Sequence, residues 1–186
     1  MLKCLSLFCL FTIFFLSARC QIKETIDRDI AVIKYVPGGY DCGSQMKKIQ
    51  KLDRKYRKRN HEYHEILSLD TLAIPYLIDK ISDTTETPVR INCVAYNLKT
   101  GDVAFALLKD IIIIIPMYAV SRIQWDLIGC DSLCEYMDYL HNNRIKFQNE
   151  LRTFFNSRNG KIWIRIFKTK LSKTQRGQLL KELKFN

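Results

Sequence analysis

The chain predicts an all-α protein built of antiparallel helical hairpins, HEAT-like or arranged as an irregular helical bundle. Three observations point there. Apolar residues recur at three- and four-residue spacing in most segments, a Ser-x-x-Glu/Gln capping signature precedes two of those segments, and period-two alternation is confined to Ile162 to Phe167. A strand that short cannot build a sheet alone.

The first helix is predicted over 21 to 36, where Ile22, Ile26, Ile30 and Ile33 form one stripe and Pro37, Gly38 and Gly39 end it. A second runs from near Ser44 to about Leu67 on the stripe Met46, Ile49, Leu52, Tyr56, Tyr63 and Ile66. The third lies in TLAIPYLIDKIS: Pro75 fits only the first turn, because it lacks an N–H and its ring clashes with the preceding turn deeper in a helix. Its buried face is then Ile74, Leu77, Ile78 and Ile81, and the polar stretch 83 to 87, closed by Pro88, is a loop. Thr100 is the expected N-cap of the next helix, with Asp102 in its positive first turn and Val103, Leu107, Leu108, Ile111 and Ile112 along it, until Pro116 stops it. Ser132 and Glu135 open a long helix to about Ser157 on Leu133, Met137, Leu140, Phe147, Leu151 and Phe154, with Asn142 and Asn143 as its breaking point. Ser172 and Gln175 introduce a last helix carrying Leu179, Leu180 and Leu183.

Residues 1 to 20 have Lys3 ahead of an apolar run from Cys4 to Leu16 and end in small residues, the pattern of a secretory signal peptide. The run is shorter than the roughly 20 residues a membrane-crossing helix needs. Residues 21 to 186 are then a single helical domain, exported to the periplasm or secreted. Cys20 at the boundary adds a minority reading, acylation of its thiol as a membrane tether. In an exported protein the remaining cysteines, Cys42, Cys93, Cys130 and Cys134, are candidates for two disulfides, with free buried thiols as the alternative.

The 186 residues carry 30 Lys and Arg against 19 Asp and Glu, a net charge of +11, or +9 once Lys3 and Arg19 leave with the leader. The excess is segregated. Lys47, Lys48, Lys51, Arg54, Lys55, Arg57, Lys58 and Arg59 face only Asp53, giving +7 over residues 47 to 60. Residues 161 to 186 hold another +7, and the stretch 61 to 140 between them is −7. Such a dipolar pattern concerns partners rather than fold. The basic cluster is a candidate docking face for a protein with an acidic surface, or the solvated side of a helix that meets the acidic middle of its own fold. Nucleic acid is disfavoured: Tyr56 is the cluster's one aromatic and lies on the core stripe, and export removes the chain from that partner.

No residue set fixes a reaction. GxSxG, HExxH and a phosphate-binding glycine loop are all absent from the sequence. His61 and His64 share a helix face but lack a third ligand, so no metal and no cofactor is expected. Cys134 and His141 stand two helical turns apart, out of reach as a nucleophile and base. Trp125 and Trp163 read as packing residues. A hydrolase assembled from carboxylates such as Glu62, Glu65, Asp102 and Asp110 is the enzymatic alternative, and a lipid-tethered membrane-surface protein is another.

The segment AIPYLIDKISDTT followed by GDVAFALLKDII resembles the helical hairpins of HEAT-like repeat proteins, over about residues 44 to 115. That resemblance implies a protein-binding scaffold. With the leader and the segregated charge, the expectation is a non-enzymatic exported protein that binds a partner through a charged face, of the kind that neutralises a toxin delivered into the periplasm.

Overall fold

The structure, a computed structural model, describes residues 17, 19–37, 60–91, 94–112, 120, 133–168, 175 and 178. Among these the regular structure is helical throughout, and the only β-type pairing is an isolated bridge between Glu86 and Lys99. Helix α1 covers residues 19–32, α2 His61–Ser68, α3 Ile74–Lys80, α4 Thr100–Ile111, α5 Leu133–Asn156 and α6 Arg158–Lys168. A 3-10 turn, Asp70–Ala73, links α2 to α3. Its first residue, Asp70, has φ 52°, a left-handed conformation that Asp tolerates better than most non-glycine residues.

Helix α4 is the centre of the core. Every residue from Thr100 to Leu108 is buried, so this helix is enclosed on all sides, with α3 lying chiefly against it and α2 and α5 also in contact. Phe105 packs on the rings of Tyr136 and Phe147 at 5.2 and 5.7 Å between centroids, and Tyr139 meets Phe147 edge-on. Phe105 and Phe147, the fully buried rings among these, each contribute about 1.5 to 3 kcal/mol through removal from water. The predicted stripes are the faces that reach this core: Ile26 and Ile30 of α1 with Ile33 just past its end, Tyr63 and Ile66 of α2, and Ile74, Leu77 and Ile78 of α3 with Ile81 just past its end. Pro75 stands in the first turn of α3, where its missing N–H costs no helical bond.

Helix α1 ends at residue 32, earlier than the expected 36, although Val36 is still buried. It also runs without a break through the Cys20–Gln21 junction. The N-cap of α4 is Lys99, one residue before the expected Thr100, because the Asp102 carboxylate accepts the Lys99 backbone N–H at 2.8 Å and fixes the first turn there. Helix α5 does break where two asparagines adjoin: Asn143 has φ −132°, and its side-chain amide donates to the Tyr139 carbonyl at 3.0 Å.

The largest correction concerns Ile162 to Phe167, which lie in α6 and form no strand. Ser157 is the one residue between α5 and α6, and its hydroxyl accepts the Gly160 N–H at 3.1 Å, an N-cap bond three residues in. Ile162 and Ile166, one turn apart, are then buried together, while Arg158, Lys161 and Arg165 share the exposed side. Gly160 is required by close approach, since a Cβ there would collide with the Phe154 carbonyl.

Candidate functional site

The most constructed polar feature is a ladder on α5. Arg144, Gln148 and Arg152 are spaced by four, so they project from one face, and all three grip the end of α3 or the residue beyond it. Arg144 Nη2 pairs with Asp102 Oδ1 at 2.6 Å and its Nη1 donates to the Ile81 carbonyl at 3.4 Å. Gln148 Nε2 donates to the carbonyls of Ile78 and Asp79 at 2.9 and 2.7 Å. Arg152 reaches Asp79 Oδ1 with Nε and Nη2 at 3.1 and 2.8 Å. The Ile78 carbonyl also accepts the Ile81 N–H at 3.2 Å, so the ladder adds donors and positive charge to the carbonyl end of α3.

Beyond the outer rung lies a cavity of about 340 Å³ between the start of α3, the end of α5 and α6. Ile74, Pro75, Ile78, Phe155 and Ile164 form its apolar walls, and Thr71, Asp79, Arg152 and Asn156 supply the polar groups. This size and composition suit binding of an apolar group. Among the described residues its one carboxylate, Asp79, is engaged by Arg152, and no nucleophile paired with a base lines it. A second, shallower hollow of about 320 Å³ lies at the α5 break, bordered by Ser82, Thr84, His141 and Asn142.

The residues expected to carry function are placed as follows. The docking candidates Lys47, Lys48, Lys51, Arg54, Lys55, Arg57, Lys58 and Arg59 lie outside the described residues, as do Cys42, Cys93, Cys130 and Trp125. Cys134 falls in the first turn of α5, with its side chain outside what is described. Cys20 is an exposed free thiol whose Sγ donates to Glu24 Oε1 at 3.4 Å, and that bond, with the carboxylate's charge, raises its pKa above the ordinary thiol value. His61 and His64 are exposed on α2, and the described residues contain no group of three metal-ligating side chains.

The four carboxylates of the hydrolase alternative are in separate settings. Glu65 pairs with Arg28 at 3.2 Å, Asp102 is consumed by Arg144 and the Lys99 N–H, and Asp110 accepts the Tyr63 hydroxyl at 3.0 Å. Glu62 is half-buried on α2, and none of the four borders either cavity above. Sequence reading passed over the α5 ladder, whose signal is the recurrence Arg144, Gln148, Arg152 on a helix that otherwise buries Phe147 and Leu151.

Elsewhere the acidic middle is held by short ion pairs. Lys80 Nζ lies 2.7 Å from Asp27 and 3.7 Å from Asp83. Burial pushes the Asp83 carboxyl up, but the Thr85 N–H and hydroxyl and the Lys80 charge outweigh it and leave the pKa below the usual value. Lys99 lies 2.7 Å from Glu86, and its hydrogen bond and charge lower that carboxyl too. Comparison of the chain with family models, curated proteins and solved structures gives no match.

Proposed function

We propose that this chain is an exported, non-enzymatic helical protein that binds an acidic protein partner through the basic face at residues 47 to 59, in the manner of a periplasmic protein that neutralises a toxin. The observation that carries the reading is where the opposing charge goes. Five acidic groups of the −7 stretch pair with Arg28, Lys80, Lys99, Arg144 and Arg152, none of which belongs to the basic cluster. Three of these cations, Arg28, Arg144 and Arg152, come from outside the stretch and take up part of its net −7, while Lys80 and Lys99 are already counted in it; the acidic charge so engaged supports an external acidic surface as the partner of the cluster. The dispersal of Glu65, Asp102 and Asp110 into separate contacts supports binding over hydrolysis, and the all-α architecture accords with the HEAT-like scaffold that the sequence resembles.

The test is affinity capture from extracytoplasmic extract with the chain and with a Lys51→Glu, Arg54→Glu, Lys55→Glu, Lys58→Glu variant. Loss of one defined partner in the variant supports the charged face, and undiminished recovery defeats it. The mature N-terminus, determined by mass spectrometry, tests the export reading: Gln21 supports a cleaved leader, and an acylated Cys20 supports the tether instead.

A further inference from the structure

We propose that α6 and the cavity beside it form a second docking surface, whose occupant is an anionic lipid bilayer. This surface is distinct from the 47–59 cluster and rests on separate observations. Arg158, Lys161 and Arg165 are exposed on one side of α6, spaced by three and four, and the helix Arg158–Lys168 contains no acidic residue. The stripe is therefore uniformly cationic along its length.

Flanking it, Ile164 is half-buried and forms an apolar wall of the cavity with Ile74, Pro75, Ile78 and Phe155, while at the polar side of the same cavity Arg152, 44% exposed, is paired with Asp79, 61% exposed. Trp163 is also half-buried, and both it and Ile164 pack against the core with part of their surface left open. Ile164, next to Arg165 and three residues after Lys161, joins the cationic stripe to the apolar wall of the cavity, and this juxtaposition matches the two layers of an anionic bilayer surface, charged headgroups over hydrocarbon. An acidic protein face would satisfy Arg158, Lys161 and Arg165 but offers no reason for the apolar wall next to them.

Co-sedimentation of the full chain with phosphatidylcholine vesicles, with and without phosphatidylglycerol, tests the assignment. Vesicles lacking anionic lipid record any association through the apolar N-terminal segment, which every variant shares. Binding should require phosphatidylglycerol and weaken about thirty-fold in Lys161→Ala/Arg165→Ala, two exposed positions whose loss leaves the circular dichroism spectrum unchanged. Ile164→Ser should weaken it further at high salt, where the electrostatic part is screened. Equal vesicle binding by the double alanine variant overturns the proposal. So does binding that ignores Ile164→Ser and is matched by polyglutamate, which would assign the stripe to an acidic polypeptide.

Discussion

Arg144 and Arg152 stand two turns apart on the same face of α5, and each pairs with an aspartate, yet their surroundings are opposite. The Arg144 and Asp102 side chains are 8% and 0% exposed, whereas Arg152 and Asp79 are 44% and 61% exposed. At the inner end the pair is out of water, and every additional bond of its members, to the Ile81 carbonyl and the Lys99 N–H, is needed to offset desolvation. At the outer end water solvates both partners whether or not they meet. The same chemistry is thus a structural lock at one end of the ladder and a surface contact, open to ligands, at the other.

The inner lock breaks most severely when one partner is removed. Arg144→Met keeps the apolar stem but strands the Asp102 carboxylate in the core, with a loss of about 3 to 5 kcal/mol in urea unfolding. Replacing both, as Arg144→Met with Asp102→Asn, should recover part of that loss, because the uncompensated charge is gone while an amide oxygen still accepts the Lys99 N–H. A double variant no better than Arg144→Met would show that the charge itself was not the cost.

Next in size is Gly101→Ala. A Cβ there would fall against the Ile81 carbonyl oxygen and Arg144 Nη1, so α3 and α4 must separate or the guanidinium must move. The expected cost is about 2 kcal/mol by overpacking, read from the thermal midpoint. Gln148→Leu probes the middle rung. It fits a buried site by volume but withdraws the donor from two carbonyls at the end of α3, which should cost about 1 to 2 kcal/mol. A stability equal to that of the unaltered chain would mean that water replaces the amide.

What was readable in the sequence divides along the same line between local and distant. The α3 stripe, Pro75 in its first turn and the break beside Asn142 are set by neighbours a few residues away, and the structure has all three. The Asp102–Arg144 pair joins residues 42 apart, so no spacing rule reveals it, and Asp102 read alone as a first-turn acid or a catalytic candidate. Helix α6 is hidden in the sequence for a different reason. Isoleucines at 162, 164 and 166 alternate as in a strand, and the decisive signals, the Ser157 cap and the three-four spacing of Arg158, Lys161 and Arg165, are polar and precede or interleave the apolar run. The basic cluster at 47 to 59 is visible in charge arithmetic alone, and it lies outside the described residues.

The smallest effect belongs to the outer rung and completes the contrast. Arg152→Ala and Asp79→Asn should each cost no more than about 1 kcal/mol, and the pair measured as a double-mutant cycle should give a coupling of about 0.2 to 1 kcal/mol. Two bonds from one guanidinium to a single carboxylate oxygen favour the upper part of that range, but exposure of both partners caps it. Because the pair is solvated, raising the salt concentration to about 1 M, where the screening length falls to about 3 Å, should abolish most of the coupling. The same salt should leave the cost of Arg144→Met nearly unchanged, since ions do not enter that site. A coupling at Arg152 that survived high salt would place the outer pair in the same dry environment as the inner one and erase the distinction between lock and surface contact.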